Sequence, residues 1–204
     1  RRPLRAALLL GAAAVATVGL VAIVHDLARP RIEANERARR VAQLAEVLGG
    51  IRYDNDLLRD SVTVRDPERL GTDESLPAYR ATQAGRPVAT ILTAVAPDGY
   101  AGSIRLLVGI GADGRLLGVR VLAHKETPGL GDEIDERKST WIDGFKGRSL
   151  GDPTLERWRV RKDGGEFDQF TGATVTPRAV VRAVLNAMLY FEANRATLLA
   201  GPQA

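Results

Sequence analysis

The chain opens on Arg1, Arg2 and Arg5 and then runs from Ala6 to Val24 without a charged residue. A helix of that length spans roughly 28 Å, close to the ~30 Å hydrocarbon core of a bilayer. The alternative is a cleaved signal peptide, whose apolar stretch is shorter and ends at a small-x-small site. Here the run is followed by His25-Asp26-Leu27-Ala28-Arg29-Pro30, which offers no such site and favours an uncleaved anchor. Beyond Pro30, Ile32, Val41, Leu44 and Leu48 recur at mostly helical spacing up to Gly49-Gly50. That predicts a juxtamembrane helix with a glycine stop.

The period then changes. Residues 52–86 are polar and give short strands at most. The segment 88–95 is β-rich and closes at the turn Pro97-Asp98-Gly99-Tyr100. Residues 103–110 and 115–123 flank Gly111-Ala112-Asp113-Gly114, the clearest hairpin signal in the chain. After it, His124 to Asp132 is too rich in Pro and Gly for regular structure. A short helix is expected over Asp135 to Phe145 and a short strand over 158–163. Pro177 to Arg195 follows as an amphipathic helix, with Val180, Val181, Val184, Leu185, Met188 and Phe191 on one side. Thr176 would be its N-cap and Pro177 its first helical residue. Trp141 and Phe145, near helical spacing, read as core residues rather than as stacking partners for a ligand. The fold class expected is α+β: one N-terminal transmembrane helix, then a soluble domain with a twisted antiparallel sheet packed by helices. The boundaries are residues 1–28 for the anchor, 29–50 for the juxtamembrane helix and 51–204 for the domain.

Charge changes this picture only in its location. The chain carries +4 with a sequence pI near 9.7, which invites a polyanion partner. Eight of its arginines fall within residues 1–40, against Asp26, Glu33 and Glu36; the other 164 residues hold 21 basic and 22 acidic groups. The body is close to neutral, so nucleic acid is not an expected partner. The arginine cluster before the apolar run is the denser one, which puts the N-terminus in the cytoplasm and the body outside it. Zero cysteines exclude disulfides, thiolate metal sites and iron–sulfur clusters. With two histidines, His25 and His124, a His-based metal site has little material.

The segment richest in chemistry is Asp168-Gln169-Phe170-Thr171-Gly172-Ala173-Thr174-Val175-Thr176, immediately before the last helix. Free backbone N–H groups and the positive end of a helix dipole meet there, which favours a phosphate. Gly172 and Ala173 would let a bulky ligand approach the backbone. Taken as an arbitrary string, Thr-Gly-Ala-Thr is equally a helix cap. The second candidate is the loop His124 to Asp132. Gly129 and Gly131 would expose N–H groups there, while Leu130 offers an apolar face to a flat ring. The alternative is a purely structural connection. His124 reads as structural, and Glu126 as a candidate of open purpose.

Asp168-x-x-Thr171-Gly172-Ala173-Thr174 resembles the flavinylation motif of FMN-binding domains. The resemblance implies FMN esterified through its phosphate to Thr174 by a flavin transferase, with Asp168, Thr171, Gly172 and Ala173 as the recognition sequence. Glu126-Thr127-Pro128-Gly129-Leu130-Gly131 and the hairpin before it resemble the G-subunit family of Rnf electron-transport complexes. That resemblance covers about residues 1–195 and is strongest over 97–180. It implies an inner-membrane, single-pass protein with its FMN domain on the periplasmic side. Such a protein relays electrons within an ion-translocating ferredoxin/NAD oxidoreductase, beside other membrane and redox subunits, without turnover of its own. The FMN-binding residues would then be Thr174, Asp168, Thr171, Gly172, Ala173, Val175, Thr176, Glu126, Thr127, Gly129 and Leu130. No metal site is expected. The C subunit of the Na+-translocating NADH:quinone reductase and a membrane-anchored scaffold without redox function are the alternatives. Val108-Gly109-Ile110-Gly111 lies in a hairpin, the wrong context for a dinucleotide fingerprint.

Overall fold

The computed structural model describes residues 2–200. Arg1 and residues 201–204, the outer ends of the expected anchor and domain, lie outside the described residues. Two compact units divide after Ala42. Most of the first is the helix α1, Arg2–Val47, which continues through Pro30 without a break. The juxtamembrane segment is therefore the same helix as the apolar run. A missing N–H at one proline is tolerated where neighbouring turns hold the helix. Leu10, Val15, Val18, Leu20, Val21, Ile23 and Val24 are all exposed, and the helix is long and apolar enough to cross a membrane. Arg29 and Glu33, four residues apart, form an ion pair at 2.8 Å.

In the second unit five strands form one antiparallel meander in the order β1-β2-β3-β4-β5. They are β1 (Ser61–Val64), β2 (Leu76–Gln83), β3 (Arg86–Ala96), β4 (Ile104–Gly111) and β5 (Leu116–Ala123). The short helix α2, Pro67–Leu70, separates β1 from β2 and is capped by Asp66 through the Arg69 N–H. The α+β expectation holds, and the polar stretch 52–86 does contain two strands. Their pattern is obscured because the sheet is covered on both faces. One face, with Leu92, Ala94, Leu106 and Val108, packs against the helix α3, Val175–Ala200. The other, with Ala81, Ala89, Ile91 and Leu107, is covered by Leu44, Val47, Leu48 and Leu57. A sheet buried on both sides loses the alternation that marks a half-exposed one.

Two expected elements are different in kind. In place of the helix over Asp135 to Phe145 the chain makes a turn after the 3-10 helix Gly131–Ile134 and then a second 3-10 helix, Trp141–Phe145. Between them the Ser139 hydroxyl donates to the Glu133 carbonyl at 2.6 Å and accepts from the Trp141 N–H at 3.1 Å, which competes with a helical ladder. The strand over 158–163 is a 3-10 turn, Arg161–Asp163, and pairing there is one bridge from Val160 to Phe167. Beneath these turns lies an aromatic cluster: Phe145 stacks on Phe167 with centroids 4.7 Å apart, and Trp158 lies 5.0 Å from Phe167. Phe145 is fully buried and Trp141 packs at the edge of the core, as their spacing predicted.

Candidate functional site

The loop before α3 is shaped from beneath. The Trp141 indole N–H donates to the Asp168 carbonyl at 2.8 Å, and its ring meets the buried Phe170 edge-on at 5.1 Å. From Phe170 the chain turns tightly, with the Ala173 N–H donating to the Phe170 carbonyl at 3.2 Å. The third residue of that turn, Gly172, has φ +81°, a conformation glycine adopts without cost. Asp168 points away and pairs with Arg161 at 3.0 Å, both largely exposed.

The first helical bond of α3 runs from the Arg178 N–H to the Thr174 carbonyl at 3.3 Å. Thr174, not Thr176, is therefore the N-cap, and Pro177 is the third helical residue. An N-cap hydroxyl normally accepts from the N–H of the second or third helical residue, and proline has removed the latter. Among the described residues nothing hydrogen-bonds the Thr174 hydroxyl. Thr176 is fully buried, and its hydroxyl donates to Glu126 Oε2 instead.

Glu126 is itself 4% exposed. Its Oε1 accepts from the Ala101 N–H at 3.0 Å, and its own N–H donates to His124 Nδ1 at 3.1 Å. Gly131 lies against this pair: a Cβ there would sit 2.6 Å from Glu126 Oε2 and 2.8 Å from Thr176 Oγ1. Both obstacles are side-chain ends that can shift, so Gly131→Ala is expected to cost about 1–2 kcal/mol. A melting curve checks it, and an unchanged variant would mean the contact carries no weight.

These pieces enclose a cavity of about 320 Å³ lined by Glu126, Thr127, Leu130, Gly172, Ala173, Thr174, Val175 and Thr176, together with Tyr100 and Gly131. That is the lower end of the size range of small-molecule sites. Tyr100, Leu130 and Val175 stand 71%, 44% and 45% exposed around it, giving an apolar rim to a polar floor. Of the residues expected from sequence, Asp168, Thr171 and Gly129 do not line the cavity. The exposed glycine N–H groups expected of the loop are not available either. Gly131 and Leu130 donate to the Thr127 carbonyl at 3.2 and 3.1 Å, and Gly129 donates to Asp132 Oδ1 at 2.6 Å. Tyr100 escaped the sequence reading, which took it only as the end of a turn; an aromatic directly after Asp98-Gly99 was the available signal.

Just beyond, the Arg137 guanidinium grips the buried Asp135 carboxylate at 2.5–3.2 Å. It holds that carboxyl at about 2, below the ordinary 3.8. A lowered folded-state value stabilises the fold above the unfolded value and loses that contribution as pH falls toward the folded one. Asp135→Asn should therefore lower the melting temperature slightly at pH 7 and flatten the acid dependence between about 4 and 2. The Arg137 side chain is 82% exposed, which keeps the effect small and salt-sensitive. Melting curves across that window check it.

The chain is 56% identical to the G subunit of the ion-translocating oxidoreductase complex of Pseudomonas aeruginosa, over all of this chain and 95% of that protein. The chain belongs to this G-subunit family. The proteins of the same name from Shewanella loihica and Vibrio atlanticus are 50% and 49% identical over 95% and 96% of this chain, and 92% and 93% of their own lengths. The RnfG N-terminal region matches residues 3–47, ending where α1 ends. The FMN-binding domain matches residues 99–189, which takes in every residue lining the cavity. In this member of the G-subunit family the cavity, the loop 126–131 and the start of α3 are thus parts of one FMN-binding domain.

Proposed function

We propose that this chain carries FMN as a phosphoester on Thr174 and relays electrons within a membrane-bound, ion-translocating ferredoxin/NAD oxidoreductase. The observation that carries the reading is the Thr174 hydroxyl. It stands at the N-cap of a 26-residue helix, on the wall of the cavity, without a hydrogen-bond partner among the described residues. A phosphoryl group esterified there meets the positive end of the helix and its unpaired N–H groups. Gly172 leaves the backbone open, since a Cβ would touch only Leu130 at 3.8 Å. Tyr100, Leu130 and Val175 offer apolar surface to a flat ring, and Thr127, Thr176 and Glu126 offer polar contacts. When bound, FMN supplies the electron chemistry; these residues hold and orient it. Asp168, Thr171, Gly172 and Ala173 serve recognition by a flavin transferase, which suits the exposure of the first three.

The partners in this reading are the other membrane and redox subunits of an Rnf-type complex. Residues 1–28 form the inner-membrane anchor, 29–50 the juxtamembrane part of the same helix and 51–204 the FMN-binding domain. The arginines before the apolar run favour a cytoplasmic N-terminus, with the domain on the periplasmic side. Turnover on nicotinamide belongs to another member of the complex. Curated relatives that carry the G-subunit name at 46–56% identity favour this over the quinone-reductase subunit, and the FMN-binding match disfavours a scaffold without redox function. The chain made with a flavin transferase should fluoresce under ultraviolet light after denaturing electrophoresis. A colourless band would sink the reading, and quinone-reductase subunits recovered with the chain in mild detergent would favour the second.

A further inference from the structure

Among the residues lining the cavity Glu126 alone carries an ionisable carboxyl or amine. We propose that its charge tunes the redox potential of the flavin held there, lowering it; this rests on the flavin reading above. Both carboxylate oxygens accept hydrogen bonds, from the Ala101 N–H and the Thr176 O–H. At 4% exposure water screens it poorly. Among the described residues no cation forms an ion pair with it: Lys138 lies by Asp132 at 3.6 Å, Arg137 is held by Asp135 and Arg182 by Asp98 at 2.7 Å. Two hydrogen bonds hold the same carboxylate, and Gly131 and Gly99 lie close beside it: a Cβ on either would come within 2.6 and 2.9 Å of its oxygens. A fixed negative charge opposes electrons arriving on its neighbour, so the oxidised flavin is favoured.

Glu126→Gln removes the charge and keeps both contacts, since the amide oxygen accepts from Ala101 and the amide N–H donates to the Thr176 oxygen. Thr176→Val removes a contact and keeps the charge. Potentiometric titration of the flavin-loaded full chain in detergent, followed by flavin absorbance, is expected to show E126Q shifted upward. The shift expected is roughly tenfold in the oxidised-to-reduced equilibrium, about 30 mV for a two-electron couple. T176V should stay at or below wild type. A potential unchanged in E126Q overturns the proposal, as does an equal rise in T176V, which would trace the effect to packing. An E126Q chain that takes up no flavin overturns it too, assigning the residue to attachment. A wild-type chain without flavin would instead fail the flavin reading itself and leave no potential to tune.

Discussion

Thr174→Ala abolishes covalent flavin: the expected result is a band of normal mobility with no ultraviolet fluorescence, beside a fluorescent wild type. The side chain that would be esterified is gone, and neither of the other threonines of the same segment can substitute. Thr176 is fully buried and engaged with Glu126, and Thr171 is exposed, before the helix start and off the cavity wall. Loss of fluorescence is not a folding effect. An N-cap threonine replaced by alanine typically costs about 1 kcal/mol, and here the cost is smaller. With Pro177 at the third helical position, the hydroxyl has already lost one of its two usual donors. Circular dichroism should therefore match wild type within a few degrees of melting temperature. Thr174→Ser keeps a hydroxyl at the same place and should remain fluorescent. Fluorescence that persists in the alanine variant would remove Thr174 as the attachment point, whatever the fate of the rest.

A large stability effect is expected at Gly109→Ala, on β4. A Cβ there would lie 2.4 Å from the Val47 carbonyl oxygen and 2.7 Å from Val47 Cγ1. Gly118 stands opposite it in register on β5, and a Cβ there would approach the same carbonyl at 3.0 Å. Two bare positions side by side let the C-terminal end of α1 rest directly on the sheet. Immediately after it Gly49, at φ +61°, turns the chain with its own Cβ direction blocked by the Leu117 carbonyl at 2.8 Å. Because the obstacle at Gly109 is backbone, it cannot rotate aside as at Gly131. Overpacking of this kind costs about 1–3 kcal/mol or more, so the melting midpoint should fall by about 5–10 °C. Gly144→Ala, where nothing lies within 4 Å, should melt within about 0.5 kcal/mol of wild type. Melting of G109A together with wild type would mean that the sheet and the end of α1 can separate without cost.

Val108-Gly109-Ile110-Gly111 shows where sequence reading stopped. The hairpin around it was legible because Asp113-Gly114 sits between two apolar runs, and that context excluded a nucleotide loop. Why glycine stands at 109 was not legible, since the reason is Val47, far back along the chain. Short strands were open in the region of β1 and β2, but their positions were not legible. β1 is four residues long, and β2 shows a mixed burial pattern with a register shift between Ala81 and Thr82. The start of α3 moved back by two residues because Pro177 suits the third helical position as well as the first: every N–H in that turn lacks an intrahelical partner.

Read alone, the sequence determined the features whose causes lie within a few residues of one another: an apolar run of membrane length, a hairpin marked by Asp-Gly, an amphipathic last helix and a motif ending at Thr174. Periodicity, caps and turns are local, and one chain is enough to read them. Tertiary structure alone decided what Thr174 faces. It brought Tyr100 and Glu126 to the start of α3 and spent the loop's glycine N–H groups within the loop. It also bound the Thr176 hydroxyl to a carboxylate 50 residues away. Those contacts follow from strand register and from the packing of α3 on the sheet, and neither has a signature in any short window of residues.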